Sequence, residues 1–323
     1  MEEKKVNNRI AFLKEAIYND KLVLFAGSGV SADSGLPIWS ELLEQIKTYL
    51  NHDTNDTDAL KLAQLLYNEK GEKEYHDILK KILFSRPGKA NLLHKLIFQI
   101  NPQHIITSNY DYFFEEVISN EGLPYSVVSK DENLPYAKHK KLLIKYHGDF
   151  KNHNIVLKET DYLEFSSAHV LKETYVKSLF SNKVILFVGY SFSDINLKIL
   201  VRNVQYLLNN HHQRAYLINV NENISDSEIR YFENLGINII GYHKIFDKEL
   251  KEEIKSQLSD RGLKTYKILS YLKNFETFAY YHGSKKENLI NSAYESLGRF
   301  EAFRVLPKKF IAGLHPFNLN SKQ

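Results

Sequence analysis

The sequence predicts an α/β fold, a mostly parallel six-stranded sheet with helices on both faces and an inserted helical subdomain. Two observations predict it. Short, continuous apolar runs alternate with segments of helical period, as in a parallel sheet buried on both faces. The interval between the first two runs is also far longer than a strand-to-helix connection needs, which implies an insertion. A chain of 323 residues is long enough for one large domain and an appendage.

The first strand is Leu22–Ala26, and it enters the turn Gly27-Ser28-Gly29-Val30-Ser31. Gly27 and Gly29 remove side chains that would hold the backbone away from a pyrophosphate, and Ser28 and Ser31 keep hydroxyls there. Amides at the start of the next helical segment would supply partial positive charge. A glycine pair after a strand also makes a purely structural turn. The spacing is not G-x-G-x-x-G and no P-loop lysine follows, which disfavours an ordinary dehydrogenase or NTPase.

Residues 38–86 read as helices of their own, with Leu42, Leu43, Ile46 and Leu50 and then Leu60, Leu62, Leu65 and Leu66. Leu92, Leu93, Leu96, Ile97 and Ile100 form one stripe before the second strand, His104–Thr107. The third strand is Leu142–Tyr146, followed by a smaller helical insert at about 151–182. The fourth is Lys183–Val188, after which Asp194 caps a helix striped by Leu197, Leu200, Val201 and Val204. The fifth is Ala215–Val220. Ser225-Asp226-Ser227-Glu228 then forms a capping box for a helix ending at Gly236, and Ile237–Gly241 is the sixth strand. This order is Rossmann-like and occupies residues 1–273. From about Asn274 the character changes to aromatic, helical and finally Pro-containing basic sequence, so 274–323 reads as a C-terminal helical extension.

Composition narrows the function. The net charge of +4 is small and the basic residues are spread out, which argues against nucleic acid. No apolar run approaches the roughly 18 residues of a membrane span, and the N-terminus MEEKKVNNRI lacks the apolar core of a leader. A cytoplasmic protein is the expectation. With no cysteine there is no disulfide framework and no cysteine zinc module.

Three segments at predicted strand ends carry candidate chemistry, where open parallel sheets bind ligands. Asn109 and Asp111 follow the second strand and place a carboxamide and a carboxylate at the crevice, although Asp111 also suits a helix cap. His147 precedes Gly148 after the third strand; a neutral imidazole takes a proton near neutral pH, and the glycine would leave room for a ligand. Gly189, Ser191 and Ser193 follow the fourth strand, where a simple turn and cap would also explain them. No Gly-x-Ser-x-Gly elbow supports a serine hydrolase. His94 and the His211-His212 loop read as core or surface residues rather than metal ligands.

Taken in order, these segments resemble the sirtuin family over roughly residues 10–260. Gly27-Ser28-Gly29-Val30-Ser31 is similar to its Gly-Ala-Gly-x-Ser turn and Gly35-Leu36-Pro37 to its Gly-Ile-Pro. Thr107-Ser108-Asn109-Tyr110-Asp111 resembles Thr-Gln-Asn-Ile-Asp, and His147-Gly148 matches His-Gly. Gly189-Tyr190-Ser191 looks like Gly-Thr-Ser, and Ile218-Asn219 like the Ile-Asn on the adenosine side. The family's Asp-Phe-Arg is replaced by Ile38-Trp39-Ser40, and its zinc module is missing. Those departures, with Asn154–Leu163 and Tyr231–Ile240, resemble the bacterial defence-associated (anti-phage) sirtuins.

The resemblance implies an NAD+ glycohydrolase that releases nicotinamide and ADP-ribose, with NAD+ as substrate and no metal. It implies catalytic roles for Asn109, His147 and Asp111. Gly27, Ser28, Gly29 and Ser31 would hold the pyrophosphate, and Gly189, Ser191 and Asn219 the adenosine half. It further implies a homo-tetramer, activation by a phage protein or signal, and residues 274–323 as the start of a truncated sensor region. The alternatives are an NAD-dependent protein deacylase, disfavoured by the missing arginine and zinc module, and a non-catalytic NAD or ADP-ribose sensor.

Overall fold

The computed structural model describes residues 3–273 except 38, 52–53, 193 and 222–223. The expected extension at 274–323 lies outside the described residues. Seven strands form one sheet: β1 (Leu22–Ala26), β2 (His104–Thr107), β3 (Tyr125–Val128), β4 (Lys141–Lys145), β5 (Val184–Val188), β6 (Ala215–Asn219) and β7 (Ile237–Gly241). Their order is β3-β4-β2-β1-β5-β6-β7, with every neighbouring pair parallel.

The sequence predicts six strands, and β3 corrects that number. It is four residues long, carries Ser126, and lies at the sheet edge with Val127 exposed. An edge strand needs no continuous apolar run, so its pattern is faint.

The helices are α1 (Glu3–Tyr18), α2 (Trp39–Tyr49), α3 (Ala59–Leu83), α4 (Leu92–Ile100), α5 (Phe113–Glu121), α6 (Glu159–Leu163), α7 (Phe165–Ala168), α8 (Val170–Asn182), α9 (Ile195–Leu208), α10 (Asp226–Asn234), α11 (Glu252–Lys255) and α12 (Asp260–Lys273). Strand alternation divides the core between two faces. Leu22, Leu24 and Ala26 of β1 pack with α1, α4 and α12, through residues such as Leu13, Ile97 and Leu269. Val23 and Phe25 pack with α8 and α9, through Val176, Leu197 and Leu200. Each fully buried Leu or Phe contributes about 1.5–3 kcal/mol relative to exposure, so both faces anchor β1 at the centre of the sheet.

A third core lies off the sheet. Leu42, Ile46, Leu62, Leu66, Tyr75 and Leu79 of α2 and α3 cluster with Phe150, Ile155 and Leu157. The helical insertion thus packs on the chain that follows β4. The helix α3 is broken at Gly71, whose φ of 75° and ψ of 170° are not helical. Among the described residues no helix is long and apolar enough to cross a membrane.

Candidate active site

The chain runs from β1 to β2 on one side, while β5 pairs with the other side of β1. This reversal opens a crevice at the carboxyl ends of β1 and β5, the place where doubly wound sheets bind ligands. Gly27–Ser31 follow β1, Asn109 and Asp111 follow β2, and His147 follows β4. Gly189 and Ser191 follow β5, and Asn219 closes β6.

On the β1–β2 side, Ser31 is the centre of a buried polar network. Its hydroxyl accepts from Asn109 Nδ2 at 3.1 Å and donates to Asp111 Oδ2 at 2.8 Å. His94 Nε2 stands 3.3 Å from the same oxygen. At the other edge of the ring, Nδ1 lies 3.2 Å from the Asn91 amide and 3.0 Å from Asn91 Oδ1. Burial holds the His94 imidazole down at about 4, so it is neutral at physiological pH.

Asn109 Nδ2 also donates to the Gly27 carbonyl at 3.2 Å. A carbonyl can only accept, so this bond fixes which end of the carboxamide is nitrogen and presents Oδ1 on the opposite side. Asp111 uses Oδ1 to accept from the Phe113 amide at 3.2 Å, an Asx-type turn one residue before the N-cap of α5, Tyr112. Below it, the fully buried Lys145 ammonium bonds the Asp111 carbonyl and stands 3.0 Å from Glu115 Oε1.

The glycine turn differs from the phosphate cradle that its sequence suggests. The Gly27 and Gly29 amides donate to Val188 and Gly189 carbonyls, each at 2.9 Å. The Val30 and Ser31 amides close the turn on Gly27 and Ser28. A Cβ on Gly27 would lie 2.5 Å from the Gly189 carbonyl oxygen, and one on Gly29 would lie 2.8 Å from the Gly189 Cα. These glycines are required by the β5 turn pressed against them. The Ser31 hydroxyl is likewise committed inward and the residue is buried, whereas Ser28 and Ser191 are exposed.

On the β4–β5 side, His147 sits in a turn whose next residue, Gly148, has a φ of 71°. A Cβ there would fall 2.0 Å from the Asn154 carbonyl oxygen. The space expected for a ligand is filled by the chain itself. His147 Nε2 lies 2.8 Å from Asp194 Oδ2, with both side chains buried. The separation is that of a hydrogen bond but the N–H direction is not. The rings of Tyr146, Tyr162 and Phe165 surround the imidazole at centroid distances of 5.5, 5.6 and 6.2 Å.

Asp194 caps α9 as predicted: Oδ1 accepts from the Asn196 and Leu197 amides at 2.9 and 3.2 Å. Its Oδ2 faces His147 and accepts from the Tyr190 hydroxyl at 3.2 Å. Burial alone would push this carboxyl up. The His147 imidazole, the Leu197 amide and the Tyr190 hydroxyl outweigh it and hold the group below the usual carboxylate range. Sequence reasoning finds the cap and misses the second oxygen; the available signal was a carboxylate just past a strand-end turn, as at Asp111.

The structure thus joins Gly27, Ser31, Asn109 and Asp111 by hydrogen bonds and seats Gly189 against Gly27 and Gly29. Tyr190 links the two sides. Its hydroxyl reaches Asp194, and its ring packs where a Gly27 side chain would stand. Asn219 is not in this network; its Oδ1 accepts from the Asn221 amide at 2.8 Å. Ser193 lies outside the described residues. No group of three or more His, Asp or Glu among the described residues is placed to hold a metal ion.

Residues 103–240 match the family described as SIR2-like domain. The matched stretch runs from β2 through most of β7 and contains Asn109, Asp111, His147, Asp194 and Asn219. The chain is 32% identical over 254 residues to "Defense-associated sirtuin 2" of Bacillus subtilis, covering 75% of this chain and 25% of that protein. It is 30% identical over 201 residues to "NAD(+) hydrolase ThsA" of Cytobacillus dafuensis, covering 61% and 40% of the two chains. With the Enterococcus faecium protein of the same name it shares 30% over 227 residues, covering 66% and 47%. The chain therefore spans between a quarter and a half of the length of these relatives.

Proposed function

We propose that this SIR2-like domain is an NAD+ glycohydrolase, cleaving NAD+ to nicotinamide and ADP-ribose as the effector of anti-phage defence by NAD depletion. The observation that carries the reading is the bonded set Gly27–Ser31–Asn109–Asp111 at the switch point, with His147 one strand away. The Tyr146 amide, beside His147, donates to the Thr107 carbonyl at 2.7 Å, so the two segments are held side by side. Relatives named for NAD+ hydrolysis support the choice of substrate.

Breaking the nicotinamide–ribose bond leaves an oxocarbenium-like ribosyl cation, and nicotinamide departs neutral without a strong acid. Water adds to the anomeric carbon and gives up one proton. Asn109 Oδ1 accepts from that water or from a ribose hydroxyl and so fixes its position. His147 takes the proton. Asp111, braced by Ser31, supplies negative potential for the developing cation. The exposed Ser28 hydroxyl binds the pyrophosphate side, and Gly189, Ser191 and Asn219 border the adenosine half. Ser31 moves from the phosphate group of residues to the support of Asn109 and Asp111. The same reading includes a cytoplasmic homo-tetramer switched on by a phage protein or signal.

The test is incubation of the purified chain with NAD+ and chromatographic separation of nicotinamide and ADP-ribose. Release by the parent and its loss in His147→Ala and Asn109→Ala is the expected result. Equal rates in parent and His147→Ala would overturn the assignment.

A further inference from the structure

We infer that Asp194 is a positioning residue for the reaction: its Oδ2 holds the Nε2 edge of His147, so that Nδ1 is the nitrogen that receives the proton. The inference rests on the NAD-cleaving reading of the site. Three observations support it. The carboxylate divides its oxygens, with Oδ1 on the α9 amides and Oδ2 on His147 and Tyr190. Nε2 is fully buried, so no substrate atom reaches it in this arrangement.

The loop that delivers Asp194 is also over-determined. Phe192 adopts a left-handed φ of 61°, costly for a bulky residue. It is buried, its ring 5.0 Å from Phe187 and 5.9 Å from Phe232. Packing of this kind retains a strained turn when the position it sets is needed.

The chemistry follows from the pair. To act as the base, the imidazole carries its hydrogen on Nε2 and its lone pair on Nδ1. When Nδ1 takes the proton from water or a ribose hydroxyl, the ring gains one positive charge beside one negative carboxylate. The surrounding Tyr146, Tyr162 and Phe165 rings exclude water, which strengthens that attraction. Alignment of the off-line Nε2–H with Oδ2 accompanies this charging, as catalytic hydrogen bonds commonly tighten on the reaction path.

Asp194→Asn separates the two roles, because asparagine caps a helix as well as aspartate does but carries no charge. We expect it to retain the parent's circular dichroism and NAD+ KM, with only a small fall in melting temperature from the lost charge, while kcat falls about 100-fold. Asp194→Ala should lose stability and turnover together. Near-parent kcat in Asp194→Asn would reduce Asp194 to a cap and overturn the inference.

A second measurement does not depend on turnover. In 15N NMR of the parent, His147, assigned by its disappearance in His147→Ala, should show the Nε2–H tautomer. Its ring signals should move in Asp194→Asn. An Nδ1–H tautomer, or signals identical in both proteins, sinks the inference even if NAD+ is cleaved. The expected tautomer in a protein that releases no nicotinamide sinks the proposed function instead.

Discussion

The two sides of the crevice are built on opposite principles. On the β1–β2 side, Ser31, Asn109, Asp111 and His94 form a closed circuit of neutral and charged hydrogen bonds. The Ser31 hydroxyl meets three side chains, Asn109, Asp111 and His94. On the β4–β5 side, one imidazole meets one carboxylate inside aromatic walls, and the bond between them is close but not aligned. The first side is a fixed frame, where each donor dictates its neighbour's orientation. The second keeps an electrostatic contact ready to strengthen when a proton arrives. The contrast teaches where specificity of position and where proton chemistry reside.

Breaking the second side should have the largest effect. His147→Ala should lower NAD+ turnover about 1,000-fold, within the span of general-base contributions, while leaving circular dichroism near the parent's and lowering the melting temperature, because the buried Asp194 carboxylate loses its partner. Steady-state nicotinamide release checks it. A smaller loss, about 100-fold in kcat, is expected for Asn109→Ala, from a lost positioning contact; the same change deprives the Gly27 carbonyl of a donor and should lower the melting temperature slightly.

Ser31→Ala sharpens the comparison, because it damages the frame without removing a group assigned to the reaction. His94 Nε2, Asn109 Nδ2 and Asp111 Oδ2 each lose a partner, and the fold should lose about 1–3 kcal/mol. Turnover should fall about tenfold through misplacement of Asn109. Denaturant titration and kinetics on one preparation separate the two effects.

The smallest effect concerns pH. His94, His104 and His169 are each held down to about 4, chiefly by burial. Unfolded histidine takes its proton near 6.5, so the unfolded chain binds protons first as pH falls. Stability should therefore be complete at neutral pH and decline between about pH 6.5 and 4. Asp194 adds a loss only below about pH 4, where the unfolded carboxyl takes its proton before the depressed native one does. Denaturation midpoints measured across this range test the order.

Much of this architecture was legible in the residues. Leu22–Ala26, His104–Thr107 and Ile237–Gly241 coincide with the expected strands, and the Ser225 capping box opens α10 as read. These elements are buried on both faces or locally capped, so the determinant lies in contiguous sequence. The helix α1 was equally readable, since Val6, Ile10, Leu13 and Ile17 recur at helical spacing and all are buried.

The rest depends on what folding brings together. Gly27, Gly29 and Gly148 look like openings for a ligand, yet each is filled by backbone from a distant segment. Ser31 looks like a phosphate donor until His94, Asn109 and Asp111 converge on it. Asp194 as a cap and Asp194 as a partner of His147 are the same letter, because the distinction lies in its second oxygen.

The third core has a mechanical consequence. Phe150, Ile155 and Leu157 belong to the packing of α2 and α3, while Lys145, two residues before His147, is hydrogen-bonded in the sheet. The imidazole is therefore carried on a short bridge with one abutment in each body. A force that separates or twists the insertion against the sheet is transmitted first to the span that holds the base, before either anchorage yields.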